Sequence, residues 1–412
     1  MSLIENRMTK AEFASRVMAM PVFDTHTHLV GDRLAASDFW EIAHYFWLFR
    51  ELQAAGYPAD ADKLPEEERI SAFLDAYRAT RSTLMNIGFT AILRELYGIE
   101  IRDAASVREA VAAVKRSGAD EDWAQRTADR LQIRRFAVNH PAHAAFRGMR
   151  DDAVLIPRID GKLGPWIDRV AQSADPAREL SQTLDEIEAM LRGFADAGLP
   201  GIMTTLPRYE SLAGIRSEIG QNSSRDDIMK ELLHGICSAA ERHGLLVQLF
   251  LGVERSWCGT ALPANDTARL LKLSALFETY RCRFELVLAS ELNNLDAVQA
   301  AWNFPNVHVG GMWWFNFRAS TYRDSMQYRL EALPAGSSSI VVSDARCMEW
   351  SFGKIWLVKK LLAEFLWERL ESGWIDLETA MHTAEEWLYE SAARRYGASR
   401  ISRMADNGER RG

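Results

Sequence analysis

Two histidines, His26 and His28, sit at the end of a short apolar run, in the segment Met20-Pro21-Val22-Phe23-Asp24-Thr25-His26-Thr27-His28. Residues i and i+2 of a strand share a face, so both imidazoles converge on one point. Neutral imidazole binds metals readily, and such a pair at a strand end reads as half of a divalent metal site. A second strand end carries matching chemistry. Val341-Val342-Ser343-Asp344-Ala345-Arg346 delivers an aspartate, and an arginine two residues on. Two nitrogens and one carboxylate make a three-ligand site with open positions. The competing readings are plainer: a hydrogen-bonded pair of histidines, and Asp344 as the N-cap of a helix over Trp350-Arg369.

The elements that must position these residues follow from periodicity. Extended apolar runs occur near Val22-His26, Arg134-Asn139, Val154-Arg158, Gly201-Thr205, Leu246-Leu251, Phe284-Ala289, Val307-Gly311 and Ile340-Asp344. Amphipathic segments separate most of them, among them Leu180-Ala197, Ile228-His243 and Asp266-Arg281. Gly244 provides a C-terminal stop for the second of these. Strand followed by helix, eight times over, predicts an α/β fold: a parallel (β/α)8 TIM-type barrel with its site at the C-terminal ends of the strands. Such a barrel needs ~250 residues. The excess falls at residues 33–131, which read as a helical insertion or cap after the first strand, within a single domain spanning 1–412.

The bulk properties narrow the function. The chain has 412 residues, 48% of them hydrophobic and 26% charged, with a net charge of -8. That composition suits a soluble globular protein. It offers no basic stripe for nucleic acid, and no apolar run approaches the ~20 residues of a membrane helix. The first ten residues lack a signal peptide's apolar core. Cys237, Cys258, Cys282 and Cys347 form no C-x-x-C pair, so buried reduced thiols and a cytoplasmic location are expected. Binuclear metallohydrolases on such barrels place a bridging lysine or glutamate on strand four and histidines at the ends of strands five and six. The corresponding runs, Gly201-Thr205, Val247-Phe250 and Leu286-Ala289, carry none of these. One metal is therefore expected, open enough to hold substrate oxygens directly.

Several segments, in order along nearly the whole chain, resemble the uronate isomerase family of the amidohydrolase superfamily. Asp24-Thr25-His26-Thr27-His28 resembles its first-strand histidine pair. His44-Tyr45-Phe46-Trp47 resembles a His-Tyr-Lys-Trp-Arg stretch, with Phe46 and Leu48 in place of the Lys and Arg. Ile156-Pro157-Arg158-Ile159-Asp160 is similar to a Pro-Thr-Phe-Arg-Pro-Asp strand end. Gly311-Met312-Trp313-Trp314-Phe315-Asn316 is similar to Gly-x-x-Trp-Trp-Phe-Asn, and Ser343-Asp344-Ala345-Arg346 to Thr-Asp-Ser-Arg. The chain departs from the pattern where Thr204-Thr205-Leu206-Pro207 replaces Ser-Asp-His, where Phe250 replaces the histidine of Gln-Leu-His, and where Asn139-His140-Pro141 replaces Asp-Asp-Pro.

The resemblance implies a metal-dependent isomerase that interconverts an aldose-type uronic acid, glucuronate, galacturonate or a relative, and its keto form through an enediol. It implies that His26, His28 and Asp344 hold one divalent metal, zinc first and manganese as the alternative. Arg158 and Arg346 would bind the substrate carboxylate, or else form ion pairs at the barrel mouth. His44 and Tyr45 would be polar contacts or proton shuttles from the helical insertion, with Asp344 doubling as base. Trp313 and Asn316 would contact the sugar, and His140 is a weaker candidate at the end of strand two. His234, His243, His308 and His382 are expected to be structural. The expected partner is a small-molecule sugar acid, with no nucleic acid and no membrane; a homo-oligomer is left open. The alternative within enzymes is a metal-dependent hydrolase, lactonase, hydratase or decarboxylase on a carboxylated sugar-like substrate. A non-catalytic binding protein on a decayed barrel is the third class.

Overall fold

The computed structural model describes residues 8–29, 31, 34–139, 153–206, 218–251, 253–257, 260–263, 273–289, 291–313 and 318–397. His140, Trp314, Asn316 and Cys258 lie outside them. The described chain is a mixed α/β fold built on parallel sheets. Strands β1 (Val22–Thr27), β2 (Ile133–Val138) and β3 (Ala153–Leu155) pair in that order, all parallel. Strands β4 (Gly201–Thr205), β5 (Leu246–Leu251), β8 (Arg283–Leu288) and β9 (Val307–Met312) form a second parallel sheet. Between β5 and β8 the chain makes an antiparallel ribbon, β6 (Val253–Trp257) with β7 (Thr260–Pro263), which the strand pattern did not anticipate.

The two sheets are linked on one side by bonds between Pro157 and Ile159 and the two faces of Met203, at 2.9 and 3.0 Å. On the other side lies the segment expected as strand eight. It is extended but does not form a continuous strand. Ser339 N donates to Val309 O of β9 at 2.9 Å, and Thr25 N of β1 donates to Val341 O at 3.2 Å. The Ile340 amide, however, bonds to Trp387 O at 3.1 Å, and Asp344 takes a left-handed φ of 50°. One donor diverted and one residue out of the pleat break the regular ladder.

Helices fill the connections, and their ends show why. α1 (Lys10–Ala19) opens with a capping box between Thr9 and Glu12, and α10 (Arg225–Arg242) with one between Ser224 and Asp227; each satisfies backbone donors at a helix start. α9 (Pro176–Asp196) combines the Asp175 cap with proline at its first position. Gly244 follows α10 with a φ of 68°, the stop read from the sequence. The Asp266-Arg281 expectation lies partly outside the described residues. The described helix there is α11 (Ser274–Thr279), with 264–272 outside the described residues.

Between β1 and β2, residues 39–130 hold α2 (Phe39–Ala43), α3 (Phe46–Ala54), α4 (Glu66–Ala79), α5 (Leu84–Ile92), α6 (Ala104–Gly118) and α7 (Trp123–Arg130), with no strand among the described residues. The remaining helices are α8 (Asp160–Gln172), α12 (Glu291–Asn303), α13 (Ala319–Ala332), α14 (Met348–Glu371), α15 (Leu377–Glu385) and α16 (Ser391–Arg395). α14 is the beam that joins the 39–130 helices to the strands. It crosses α5 at paired glycines: a Cβ on Gly353 would lie 2.7 Å from Ile92, and one on Gly88 2.9 Å from Leu357. Its buried Glu349 accepts from Ala36 N at 2.9 Å, Tyr97 Oη at 3.0 Å and Trp123 Nε1 at 2.9 Å.

Candidate metal centre

β1 delivers both histidines to one point, as the i, i+2 spacing requires. His26 Nε2 lies 3.1 Å and His28 Nε2 2.8 Å from the same oxygen, Asp344 Oδ1. The donor atoms of the three residues all fall within 4.8 Å of one another, the one such group of three among the described residues. His26 is buried; His28 is 23% and Asp344 14% exposed, so the cluster opens on the His28 side.

The backbone holds Asp344 there against its own preference. A left-handed non-glycine residue is strained and persists only where its surroundings fix it. Asp344 N donates to His26 O at 2.8 Å, and Ala345 N bonds to Ser343 Oγ at 3.2 Å. Tyr45 Oη donates to Asp344 O at 3.2 Å. Asp24 fastens the same loop from β1, accepting from Ser343 N at 2.9 Å and Ser351 Oγ at 3.2 Å. Burial lifts the Asp24 carboxyl to about 6, with the Ser343 bonds pulling the other way.

The proton on His26 can be placed by deduction. Gln248 Nε2 donates to Thr25 O at 3.0 Å, and a carbonyl can only accept, so the amide orientation is fixed. Gln248 Oε1 therefore accepts from His26 Nδ1 at 3.4 Å. The Nε2 lone pair then faces Asp344 Oδ1, and two acceptors at 3.1 Å need a cation between them. Burial holds His26 at about 4, against the pull of Asp344, so the imidazole does not supply that cation as a second proton near neutrality. A divalent metal would. Donors bound ~2.0–2.2 Å from one zinc lie roughly 3–3.5 Å from each other; the His26 separation of 3.1 Å falls in that range and the His28 separation of 2.8 Å lies just below it. The residues fit a metal ion. For Asp344 burial acts upward, but the adjacent His26 and His28 rings outweigh it and hold the carboxyl well below its usual range.

Aromatic walls border the three-residue cluster. At the end of β5 the Phe250 ring lies 4.2 Å from the His26 ring, filling with hydrocarbon the place where a histidine would have extended the site. Trp313 packs edge-on against Phe250 at 5.1 Å and donates Nε1 to Asp344 Oδ2 at 3.3 Å. It is largely buried and orients the carboxylate, where the sequence placed it against sugar. Arg158, three residues past β3, lies near His26 but is engaged by Asp160, at 2.6 Å through Nη2, and Thr205 Oγ1 bonds the same carboxylate at 3.2 Å. Arg346 is exposed on the turn into α14. Tyr45 reaches the centre from the 39–130 helices, stacked on Trp350 at 4.6 Å. Its neighbour His44 does not: His44 Nε2 bonds Tyr57 Oη at 2.9 Å, and its ring sits among Trp40, Phe49 and Tyr57.

Sequence reasoning missed three residues around the ligands. Gln248 and Asp24 are described above. The third is Lys354 of α14, which is buried, donates to Tyr45 Oη at 2.8 Å and also bonds Ser343 O. Burial pushes its ammonium down to about 7, while Asp344 and Asp24 favour the charge. A polar residue inside an otherwise apolar strand, as in Leu246-Val247-Gln248-Leu249, was the available signal for Gln248. The histidines expected to be structural behave so where bonds are described: His234 Nδ1 meets Tyr280 Oη at 3.0 Å and His243 Nε2 meets Glu188 at 2.7 Å.

An α/β fold with an inward-facing His-His-Asp cluster at its strand ends is the class that fold and site define. No protein-family profile matches the sequence, and no curated protein does. Solved structures do. An uronate isomerase from Bacillus halodurans C-125 superposes with a TM-score of 0.75 at 18% identity, over 96% of this chain and 98% of that one. An uronate isomerase from Thermotoga maritima gives 0.77 at 15% identity, over 94% and 97%. A glucuronate isomerase from Caulobacter crescentus gives 0.73 at 14% identity, over 95% of both chains. The likeness is one of fold, end to end.

Proposed function

We propose that this chain is a mono-metal isomerase of uronic acids or closely related sugar acids. The observation that carries the reading is the meeting of two imidazole nitrogens on one carboxylate oxygen at 3.1 and 2.8 Å. The end-to-end likeness of fold to uronate and glucuronate isomerases supports the choice of reaction. His26, His28 and Asp344 would hold one divalent ion, zinc in the first instance. When bound, that ion would polarise neighbouring carbonyl and hydroxyl oxygens of a sugar.

The protein's own groups then divide the remaining work. Arg158, planar and already fixed by Asp160, presents a guanidinium beside the cluster for a substrate carboxylate. Arg346, exposed two residues after Asp344, is the second candidate for that anion. Tyr45 offers a phenol at the ligand loop, with the Lys354 amine on its oxygen, and is a better placed proton carrier than His44. Asp344 Oδ2 is held at 3.3 Å by the Trp313 indole and is the candidate acceptor of a sugar proton. Phe250 and Trp313 supply a dry wall against which these charges act more strongly.

The finer reading of the fold belongs with this proposal. The parallel sheets, the Arg158–Met203 bridge and the extended segment bonded to both β9 and β1 support a (β/α)8 barrel. Residues 33–131 would be a helical insertion that caps it. D-glucuronate and D-galacturonate should exchange their C2 proton in heavy water in the presence of zinc or manganese, and His26→Ala should abolish the exchange. A wild-type protein that binds metal yet exchanges neither sugar would overturn the uronate assignment and point instead to hydrolysis or decarboxylation on the same centre.

A further inference from the structure

The interior behind His26 is polar, where the layers inside a (β/α)8 barrel are usually filled by branched apolar side chains. Gln248 of β5 and Glu285 of β8 are register partners, and Glu285 is in turn paired with His308 of β9. All three are buried. Tyr396, just after α16, enters the same layer from the C-terminal side. Gln248 Nε2 donates to Tyr396 Oη at 2.8 Å, and Tyr396 Oη bonds Glu285 Oε2. Because the phenol oxygen already receives the amide proton, its own proton goes to Glu285, which accepts.

Every bond in the series therefore runs one way: His26 Nδ1–H to Gln248, Gln248 to Tyr396, Tyr396 to Glu285. Aligned bonds in a low-dielectric interior strengthen one another. The fold makes room for the carboxylate deliberately. A Cβ on Gly310 would fall 2.8 Å from Glu285 Oε1 and 2.9 Å from its Cγ. Burial raises the Glu285 carboxyl, and Tyr396, the Arg395 charge, Thr25 and Gln248 pull it back, so Tyr396 is the carboxylate's principal but not its sole neighbour.

We propose that Glu285 and Tyr396 are positioning residues for the metal ligand His26, acting through Gln248. They fix the imidazole proton on Nδ1, leave the Nε2 lone pair for the metal, and raise its basicity from the far side of that interior. Outer-shell partners of metal-bound histidines work in this way; here the partner carboxylate stands two residues removed. The inference rests on the metal-centre reading.

The test uses the full chain with Co(II) as probe, read by its visible ligand-field bands and by chelator competition. Nitrogen-15 NMR of labelled histidines in the metal-free protein reports the His26 tautomer, with His26→Ala identifying the signal. Tyr396→Phe and Glu285→Gln should each weaken Co(II) binding about 10–100-fold, shift its bands, and change His26 from a single Nδ1–H tautomer to a mixture. Glu349→Gln, which alters a buried carboxylate bonded to Ala36, Tyr97 and Trp123, should lower thermal stability and leave Co(II) affinity unchanged. Wild-type affinity and an unaltered tautomer in both Tyr396→Phe and Glu285→Gln would overturn the proposal. A wild type that binds no Co(II) in a His26-dependent way would overturn the metal-centre reading itself, and the two failures are distinguishable because the tautomer is read without metal.

Discussion

Replacing Lys359 by methionine should flatten the rise in stability expected of this protein between about pH 7 and pH 10.5. The Lys359 ammonium is buried on α14 and donates to Met18 O at 2.9 Å, Met20 O at 2.7 Å and Leu131 O at 2.7 Å. Those carbonyls end α1, precede β1 and precede β2, so one side chain ties down the start of the strand that carries His26 and His28. Burial pushes its pKa from 10.5 to about 7. Within that window the unfolded chain keeps a proton that the folded chain has released, and stability rises with pH. At ~1.36 kcal/mol per unit the full gap is about 5 kcal/mol. The three carbonyls favour the charged form and reduce that gap, which leaves a rise of roughly 2–5 kcal/mol from this group.

Methionine has no proton to lose. It relieves the buried charge, and it withdraws a donor from three carbonyls at ~1–3 kcal/mol for each left unpaired. Near pH 6 these effects oppose each other and the variant should be destabilised only modestly. Near pH 10 the folded lysine has released its proton while the unfolded one largely keeps it, so most of the rise is in place and the comparison swings toward the wild type by several kcal/mol. Urea midpoints of both proteins at about pH 6, 8 and 10 test this, since their difference cancels every other titration. Parallel midpoints across that range would refute the assignment of a depressed pKa to Lys359.

Other consequences follow from the same geometry. Asp344→Asn should weaken zinc or cobalt binding by more than the ~10–100-fold typical of outer-shell partners, measured by chelator competition; retained affinity would remove Asp344 from the ligand set. Lys354→Met should cost ~1–3 kcal/mol for the orphaned Ser343 carbonyl and loosen the left-handed turn at Asp344, seen as a shift in the Co(II) bands. His44→Ala should cost on the order of 1 kcal/mol for the lost Tyr57 bond and leave metal affinity unchanged, whereas Tyr45→Phe should lower turnover with metal still bound. Equal loss of turnover in both would return His44 to the site.

Much of this architecture was legible because it rests on periodicities two and 3.6. β4 and β5 fall on the residues expected, β1, β2, β8 and β9 lie within a residue or two, and Gly244 ends α10 where a left-handed stop was read. The His-His-Asp cluster was legible for a local reason and a topological one. The spacing of His26 and His28 fixes a shared face, and parallel strands bring their C-terminal ends together, so an aspartate ending the last extended segment has one place to go. What was not legible depends on contacts far apart in the chain. Trp313 and Trp314 carry equal apolar weight in the sequence, and only the approach of Asp344 shows that one indole N–H binds the carboxylate. His44 and Tyr45 are adjacent, yet the turn between α2 and α3 aims one at Tyr57 and the other at Asp344.

The irregular strand eight is the most instructive difference. Ile340-Val341-Val342-Ser343-Asp344 has every local mark of a strand; Val341 O and Asp344 N bond to β1, and the preceding Ser339 N bonds to β9. A regular pleat through Ser343 and Asp344 would nonetheless point alternate residues to opposite faces along one straight path. The left-handed φ of 50° at Asp344 turns the chain instead, so that its carboxylate meets both Nε2 atoms while Asp344 N still reaches His26 O. Conflict between a local rule and the observed backbone is expected where function dictates geometry. The strain is held by groups from three separate regions: Asp24 on β1, Tyr45 from the helices before β2, and Lys354 on α14. No window of sequence contains more than one of these regions, which is why the ligand could be named from the sequence and the device that presents it could not.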